Sequence, residues 1–350
     1  MTNSLKSCLK RPLEFSAAKF GEHRRIGSSA LWIIMYHRIL PNTDPRAKYE
    51  EPGMMVTPET FRMHLKQFKQ FFEVMPLSEW VNRASNGLHL PTKACCITFD
   101  DGWADNYEYA FPLLEEEQLP ATLFAVSAMA GSEKSFWPNR LAALLNNSSH
   151  ELLDELDWLK QPMKSARLDK KVPHPHKSSI SREAFSAIVQ QLKVYPDDII
   201  NNFLADAEQK YQKENADKIV PTQLPPSLMD WDHLRNVGKN PLFEIGSHTR
   251  HHCRLQQALN KETLQDEIVT SKFELQEKLD APIDLFCYPN GDCSAEAVKM
   301  VKENYHAAVT TKKGLNRQEN INLHKLNRIG LHEDISNTPT KLQARLANWF

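Results

Sequence analysis

Short apolar runs that recur along the chain predict β-strands. Each run is rich in β-branched or aromatic side chains, which is typical of strands buried in a sheet. Seven segments fit this pattern: Leu31–Tyr36, Ala94–Phe99, Ala121–Val126, Leu242–Ser247, Asp284–Tyr288, His306–Thr310 and His324–Leu331. The pattern therefore predicts a sheet of about seven strands.

Segments with helical periodicity separate most of these strands. One follows Thr57, the predicted N-cap, with Pro58 in its first turn and apolar side chains along one face. Others are Ala104–Gln118, Lys261–Leu279 and Ser294–Asn304. Strands that alternate with helices imply an α/β fold with a parallel sheet, either an open doubly wound sheet or a closed barrel.

The stretch from about residue 131 to residue 240 interrupts this alternation. It has no convincing strand pattern, and a polar segment around His174 and His176 favours an exposed loop over a metal site. Helical patterns cover Trp137–Leu145, Ser181–Leu192 and Asp197–Tyr211.

Strand–helix alternation resumes after this stretch, which bears on the domain organisation. We therefore expect one barrel-like domain over residues 31–350, with a helical insertion at about 131–240. Residues 1–30 precede the first predicted strand and are expected to form an N-terminal extension.

Charge and hydropathy exclude several classes of protein. The chain has 350 residues with 43 Lys and Arg against 44 Asp and Glu, so its formal net charge is -1. A dedicated nucleic-acid-binding protein would normally show a basic excess. No run approaches the ~18 consecutive apolar residues of a membrane span. We expect neither a nucleic-acid partner nor a transmembrane segment.

Two features of the sequence bear on its compartment. Residues Met1–Arg25 contain no apolar region of signal-peptide length. The six cysteines form no CxxC pair and no even disulfide pattern. Both observations favour reduced thiols and a cytoplasmic location.

The strongest chemical signal is Ile97–Gly102, where an apolar strand ends in Asp100 and Asp101 followed by a glycine. Two adjacent carboxylates repel each other unless a positive group lies nearby or one of them is protonated. A bound divalent cation would resolve this conflict, with one acid as a ligand and the other as a base. The alternative is an Asp-Gly turn with an acidic helix N-cap.

A second signal follows another predicted strand. His248 and His252 lie four residues apart, a spacing that places both imidazoles on one side of a helical turn. Two histidines and an aspartate suit zinc or a similar cation and leave one coordination position for water. A His-rich loop without metal is the alternative, and we expect His251 to point away into solvent.

Four predicted strands carry candidate site residues at their carboxyl ends. Besides the two strands described above, a third strand ends in the segment Phe286–Gly291. A fourth, in Ile33–Arg38, brings His37 to its end. Because the carboxyl ends of parallel strands in an α/β barrel meet at one face, we expect these segments to form one site.

These motifs together resemble the polysaccharide deacetylases of carbohydrate esterase family 4. Met-Tyr-His-Arg, Thr-Phe-Asp-Asp-Gly, His-Thr-x-x-His and Tyr-Pro-x-Gly follow in this order, and the likeness extends from Met35 to about His332. Members of that family use a metal to remove acyl groups from sugars. The resemblance implies an irregular (β/α) barrel of about seven parallel strands.

The resemblance also implies roles for the residues that match the motifs. Asp101, His248 and His252 correspond to the metal ligands, and Asp100 corresponds to the catalytic base. The implied cofactor is a divalent metal, zinc in the first place, with cobalt or nickel as alternatives. In the Tyr-Pro-x-Gly segment, the main-chain N–H of Asn290 would stabilise an oxyanion.

The sequence departs from the family at Cys287, where many relatives carry an arginine. A different group must then orient Asp100. Arg328, in the last predicted strand, is the candidate, and a barrel-rim ion pair is its alternative role. Two histidines are candidates for the general acid: His37, which we prefer, and His332, which precedes two acidic residues.

The expected function is that of a metal-dependent hydrolase that cleaves the C–N bond of an acyl group, N-acetyl in the first place, on a sugar or glycan intermediate. An amidase for a small non-sugar amide and a non-catalytic glycan-binding protein are the alternatives. Trp103 and Tyr288 are candidates for stacking on sugar rings, whereas we expect Tyr107 to pack within its helix layer.

Overall fold

The computed structural model describes residues 3–25, 29–50, 52–166, 180–215, 227–256 and 259–349, so His174 and His176 lie outside the described residues. The chain forms two compact units. Met1–Asn42, Gly53–Ser132 and Leu228–Phe350 make up the barrel unit, and Thr43–Pro52 with Glu133–Ser227 makes up the helical unit.

The barrel unit contains all the described strands. In chain order they are β1 (Ala30–Tyr36), β2 (Arg38–Ile39), β3 (Met55–Val56), β4 (Glu73–Val74), β5 (Lys93–Phe99), β6 (Ala121–Ala125), β7 (Phe243–Ser247), β8 (Leu285–Cys287), β9 (Ala307–Lys313), β10 (Asn316–Arg317) and β11 (Leu326–Gly330). Each of the seven predicted strands is present, with ends within three residues of the predicted ones.

Seven parallel strands close into a barrel in the order β1-β11-β9-β8-β7-β6-β5. Closure comes from β1, which pairs with β5 over its whole length, from Ala30 opposite Lys93 to Tyr36 opposite Phe99. This pairing excludes the open doubly wound sheet and confirms the irregular (β/α) barrel. The short strands β4 and β10 extend the sheet at β5 and β1, and β2 pairs with β3 alone.

The described helices number fifteen. They are α1 (Asn3–Phe20), α2 (Pro58–Phe71), α3 (Leu77–Ser85), α4 (Phe111–Glu117), α5 (Trp137–Asn147), α6 (His150–Asp154), α7 (Asp157–Ser165), α8 (Arg182–Leu192), α9 (Asp197–Glu214), α10 (Trp231–Lys239), α11 (Lys261–Leu264), α12 (Ser271–Leu279), α13 (Ala295–Asn304), α14 (Glu333–Ser336) and α15 (Pro339–Leu346). None of them combines the length and apolar character that a membrane crossing requires.

Local sequence explains several helix ends. The Thr57 hydroxyl caps α2 by accepting from the N–H of Thr60, and Pro58 opens the first turn, as the sequence predicts. Two predicted helices are interrupted by π-helical turns, at Asn106–Ala110 before α4 and at Gln265–Thr270 between α11 and α12. Such turns insert a residue into a helix and often lie near functional sites.

Alternation along the strands divides the buried side chains into two layers. Cys96 packs inside the barrel with Leu31 and Ile33, whereas Cys95 belongs to the core between barrel and helices. The two adjacent cysteines therefore lie on opposite faces of β5. The same alternation decides which residues reach the interior at the carboxyl ends of the strands.

The helical unit has a separate apolar core. Leu141 of α5, Leu159 of α7, Ile188 of α8 and Leu204 of α9 are all fully buried in it. Arg140 of α5 also pairs with a carboxylate of α9 at 2.7 Å. The described residues of this unit contain no strand, so its stability comes from packing of amphipathic helices.

Candidate metal centre and active site

Asp100 lies at the carboxyl end of β5, on the face that turns into the barrel. Cys96 and Thr98 precede it at two-residue intervals, and its N–H donates to the carbonyl of Tyr36 in β1 at 3.0 Å. Because successive side chains of a strand alternate, Asp100 continues the interior row of β5. The apolar run thus delivers a carboxylate to the top of the barrel core.

Arg328 of β11 holds this carboxylate through two parallel hydrogen bonds. Its Nη1 and Nη2 donate to Asp100 Oδ1 and Oδ2, both at 2.7 Å, and both residues are buried. Burial alone would raise the pKa of Asp100, but the Arg328 guanidinium holds that pKa below its usual value. Asp100 is therefore ionised at neutral pH, which is the state that accepts a proton.

Cys287 at the end of β8 completes the surroundings of this pair. Its Sγ lies 3.2 Å from Arg328 Nη2, and burial raises the pKa of its thiol, so the sulfur stays protonated and neutral at ordinary pH. A small side chain at position 287 leaves room for the arginine that arrives from β11. Asp100 thus pairs with Arg328 in a chain where position 287 supplies no arginine.

Asp101 adopts a backbone conformation that few non-glycine residues take. Its φ is 77°, and Gly102 follows with φ of 81°, so the chain turns sharply after β5. The Trp103 indole N–H donates to Asp101 Oδ2 at 2.8 Å, whereas the buried Oδ1 accepts no hydrogen bond from any described residue. Burial raises the pKa of Asp101, but nearby histidines hold it below its usual range.

The two predicted histidine ligands face the unsatisfied oxygen. His248 Nε2 lies 3.4 Å and His252 Nε2 3.3 Å from Asp101 Oδ1. His248 Nδ1 donates to the Cys287 carbonyl at 2.8 Å, which fixes the tautomer and leaves the lone pair of Nε2 available for a metal.

The helical turn expected for this segment is wrong. Residues 248–252 form an irregular loop in which Thr249 and His252 have φ of 63° and 59°. This loop follows β7, and its two left-handed residues fold it back so that the rings of His248 and His252 lie 4.9 Å apart. The four-residue spacing places them together, but through a loop and not through a helix.

The donor set fits a divalent metal. Asp101, His248 and His252 each offer a ligand atom, and these atoms lie within 4.8 Å of one another. Two donors of a tetrahedral zinc site, each about 2.1 Å from the ion, are about 3.4 Å apart, which matches the distances to Asp101 Oδ1. A buried carboxylate oxygen without a hydrogen bond is the kind of group that a cation satisfies.

His37 lies on the other side of Asp100. Its Nε2 is 3.8 Å from Asp100 Oδ2, and its carbonyl accepts a hydrogen bond from the Asn106 side chain at 3.0 Å. In the register of β1 and β5, His37 follows Tyr36 as Asp100 follows Phe99, so both residues stand at the same level of the barrel.

Asn290 and His332 have no such contact. Among the described residues, no hydrogen bond or ion pair joins either of them to the two aspartates. Asn290 lies on a turn after β8 with φ of 54°, and its carbonyl accepts from Thr311. His332 precedes α14, its buried Nδ1 has no hydrogen-bond partner in the described part of the chain, and burial lowers its pKa.

Three other expectations from the sequence concern the surroundings of the site. His251 is exposed, as expected, but its ring also contacts Glu267 Oε1 at 2.8 Å. Tyr107 packs edge-on against His233, as expected. The stacking role considered for Trp103 and Tyr288 is wrong, because both side chains are buried among the elements of the barrel unit.

Sequence comparison decides the family. The family model for polysaccharide deacetylases matches residues 88–165 and 202–309, more than half of the chain. The chain belongs to the polysaccharide deacetylase family. Membership implies a carbohydrate deacetylase activity directed at an acetylated glycan. No curated protein matches the sequence.

Solved deacetylase structures share the fold of this family member. Streptococcus pyogenes deacetylase PplD, in complex with acetate, has a TM-score of 0.56 and 17% identity, over 90% of this chain and 97% of that one. IcaB from Ammonifex degensii has a TM-score of 0.55 and 15% identity, over 91% of this chain and 98% of that one. BC0361, a polysaccharide deacetylase from Bacillus cereus, has a TM-score of 0.51 and 15% identity, over 90% of this chain and 69% of that one.

Two residues of this polysaccharide deacetylase, Arg38 and Asp105, support the site without having been given a role from the sequence, and Trp103 was considered only for stacking on a sugar ring. Trp103 donates to Asp101, Arg38 stacks on Trp103, and Asp105 pairs with Arg38. The signal available in the sequence was position alone, since each stands within a few residues of a recognised motif. Spacing does not show which side chains meet across β1 and the turn after β5.

Proposed function

We propose that this protein is a metal-dependent hydrolase that removes an acyl group, N-acetyl in the first place, from a sugar or glycan. The observation that carries the proposal is the convergence of Asp101 Oδ1 with His248 Nε2 and His252 Nε2 beside an ionised Asp100. A single strand end would not supply this set, because the donors come from the loops after β5 and β7.

Asp101, His248 and His252 would hold the metal, zinc in the first place, with cobalt or nickel as alternatives. A divalent cation at these donors supplies Lewis acidity toward the acyl carbonyl and lowers the pKa of water toward ~7. The intact donor set disfavours a non-catalytic glycan-binding protein, since a pure binding site needs no paired base.

Asp100 would take the proton of the attacking water. Arg328 occupies one lone-pair direction of each Asp100 oxygen, so each oxygen keeps a further lone pair that can accept a proton. The ion pair keeps the carboxylate ionised and prevents it from rotating. General-base action of this kind contributes typically 10²–10⁴-fold in rate.

The oxyanion and the leaving amine each need a partner. The N–H of Asn290 would stabilise the oxyanion, and loss of one such donor costs typically 10²–10³-fold in rate. His37 would protonate the leaving amine, since its ring contacts Asp100 across the site. For His332 this role is disfavoured, because among the described residues no hydrogen bond or ion pair joins its ring to Asp100 or Asp101.

The test is acetate release by the intact protein from N-acetylated hexosamine oligomers and from simple non-sugar amides. We expect release from the oligomers that stops after chelation and returns with zinc, cobalt or nickel. Asp100→Asn should keep the metal, measured by elemental analysis, but lose at least 10²-fold in turnover. Release from simple amides alone would identify an amidase, and retained turnover of Asp100→Asn would exclude this base.

A further inference from the structure

A buried chain of contacts extends from Asp101 away from the metal side of the site. The indole N–H of Trp103 donates to Asp101 Oδ2 at 2.8 Å. The guanidinium of Arg38 lies over the Trp103 ring, 4.0 Å from its centroid. Arg38 in turn pairs with Asp105, whose Oδ2 is 2.9 Å from Nε and 2.8 Å from Nη2. All four side chains are buried.

The first contact decides how many oxygens Asp101 can offer. With Oδ2 accepting from the Trp103 indole, only Oδ1 faces His248 and His252. A carboxylate ligates a cation through one oxygen or through both, and a hydrogen bond to one of them favours the first mode. The indole thus selects a single-oxygen ligand and leaves a coordination position for water.

The second and third contacts explain why the indole stays in place. Arg38 is 2% exposed, and a buried guanidinium is tolerated only when a carboxylate and further hydrogen bonds compensate it. Asp105 provides that charge, and its Oδ1 also accepts from the N–H of Ile39 at 2.8 Å. The cation–π contact with Arg38 then holds the Trp103 ring against β2.

The helical segment that follows Trp103 also contacts the backbone of His37. Asn106, next to Asp105, donates from its side chain to the carbonyl of His37 at 3.0 Å. The residues that follow the aspartate pair therefore hold both the metal ligand Asp101 and the backbone of His37.

We propose that Trp103, Arg38 and Asp105 are positioning residues that hold Asp101 as a single-oxygen metal ligand. The inference rests on the proposed function, because it takes Asp101, His248 and His252 as the ligands. The three residues act through Asp101, and none of them is among the proposed ligands. Outer contacts of this type typically change metal affinity or activity 10- to 100-fold.

The principal test is Trp103→Phe, which keeps the aromatic face for Arg38 but removes the indole N–H. We expect metal to bind about 10- to 100-fold more weakly, measured by chelator competition. Bound cobalt(II) should show a changed visible absorption, which reports ligand number and geometry. The matched control is Trp32→Phe, because Trp32 is equally buried and its indole donates to the Leu346 carbonyl at 3.0 Å, away from the site.

A second variant covers the case in which Trp103→Phe does not fold. Arg38→Lys keeps the charge beside Asp105 but lacks the planar group that stacks on the indole. Arg38→Lys should also weaken metal binding. The melting temperatures of both variants show whether the fold itself has been destabilised.

The outcomes separate the inference from the function. Metal affinity and cobalt absorption of Trp103→Phe or Arg38→Lys equal to those of the unaltered protein would overturn the positioning role and leave the proposed function intact. A loss of affinity equally large in Trp32→Phe would overturn it too. An unaltered protein that binds no divalent metal would refute the proposed function and this inference with it.

Discussion

Arg328 donates to both carboxylate oxygens of Asp100 at 2.7 Å, although the two residues are 228 positions apart in the chain. They meet because β11 and β5 flank β1 on its two sides, and each side chain continues the interior row of its strand. The pair joins a buried carboxylate to a buried guanidinium in a bidentate geometry that lysine cannot reproduce.

Arg328→Lys should therefore impair the site although it keeps the positive charge. We expect kcat/KM for acetylated oligomers to fall about 10- to 100-fold, because one ammonium group cannot hold both oxygens of Asp100. The matched control is Arg140→Lys, which alters the contact of Arg140 with Glu208 in the helical unit. Unchanged kcat/KM of Arg328→Lys would contradict the role assigned to this pair.

The metal assignment predicts a contrast between neighbouring histidines. His248→Ala should abolish bound zinc, since it removes one of three ligands, whereas His251→Ala should retain it. His251 is the control because it lies in the same loop but its ring contacts Glu267. Elemental analysis of the purified proteins measures the stoichiometry. Equal zinc in both variants would show that the ligands lie elsewhere.

Buried His64 predicts a dependence of stability on pH. Its Nε2 donates to the Ser336 carbonyl and its Nδ1 accepts from the Tyr36 hydroxyl, both at 2.8 Å, so the neutral ring is fully paired. Burial lowers its pKa to about 4. Since the unfolded chain takes up this proton near pH 6.5, stability is lost as pH falls from about 6.5 to 4, by about 3 kcal/mol in total.

Urea unfolding at pH 7 and pH 4.5 measures this effect. His64→Gln should be less stable at pH 7 but should lose less free energy on acidification than the unaltered protein. The contributions of other titrating groups cancel when the variant is compared with the unaltered protein. His89→Gln is the control, because the side chain of His89 is exposed. The same acid sensitivity in His64→Gln and in the unaltered protein would be incompatible with this assignment.

Packing inside the barrel makes Gly246 of β7 sensitive to any added atom. A Cβ at this position would lie 2.6 Å from ring carbons of Phe124 and 2.8 Å from the carbonyl oxygen of Leu285. Gly246→Ala should lower the free energy of unfolding by about 1–3 kcal/mol. Gly53→Ala is the control, because among the described residues other than its two chain neighbours no heavy atom lies within 4 Å of its added Cβ. Equal stabilities in denaturant would contradict the barrel packing.

Much of the fold follows from the sequence because periodicity is local. The apolar runs that became β1, β5 and β11 are short and bounded by turn residues, so strand positions could be read directly. Closure could not be read in this way. Whether β1 pairs with β5 depends on strand tilt and on the curvature of the whole sheet, which no single segment encodes.

The loop after β7 shows where spacing misleads. Four-residue separation of His248 and His252 is compatible with a helix, yet left-handed residues at 249 and 252 bring the rings together. Glycine would have signalled such a conformation, but a threonine and a histidine adopt it here. Backbone conformations of this kind depend on surrounding contacts and leave little trace in a single sequence.

The sequence by itself determined the strand–helix alternation, the acidic and histidine motifs, and the face of the barrel at which they meet. These follow from local periodicity and from the rule that parallel strands end at one face. Only the tertiary structure decided that Arg328 holds Asp100, that Trp103 occupies one oxygen of Asp101, and that Arg38 and Asp105 support it. Such contacts join distant segments, and their geometry depends on register, closure and burial acting together.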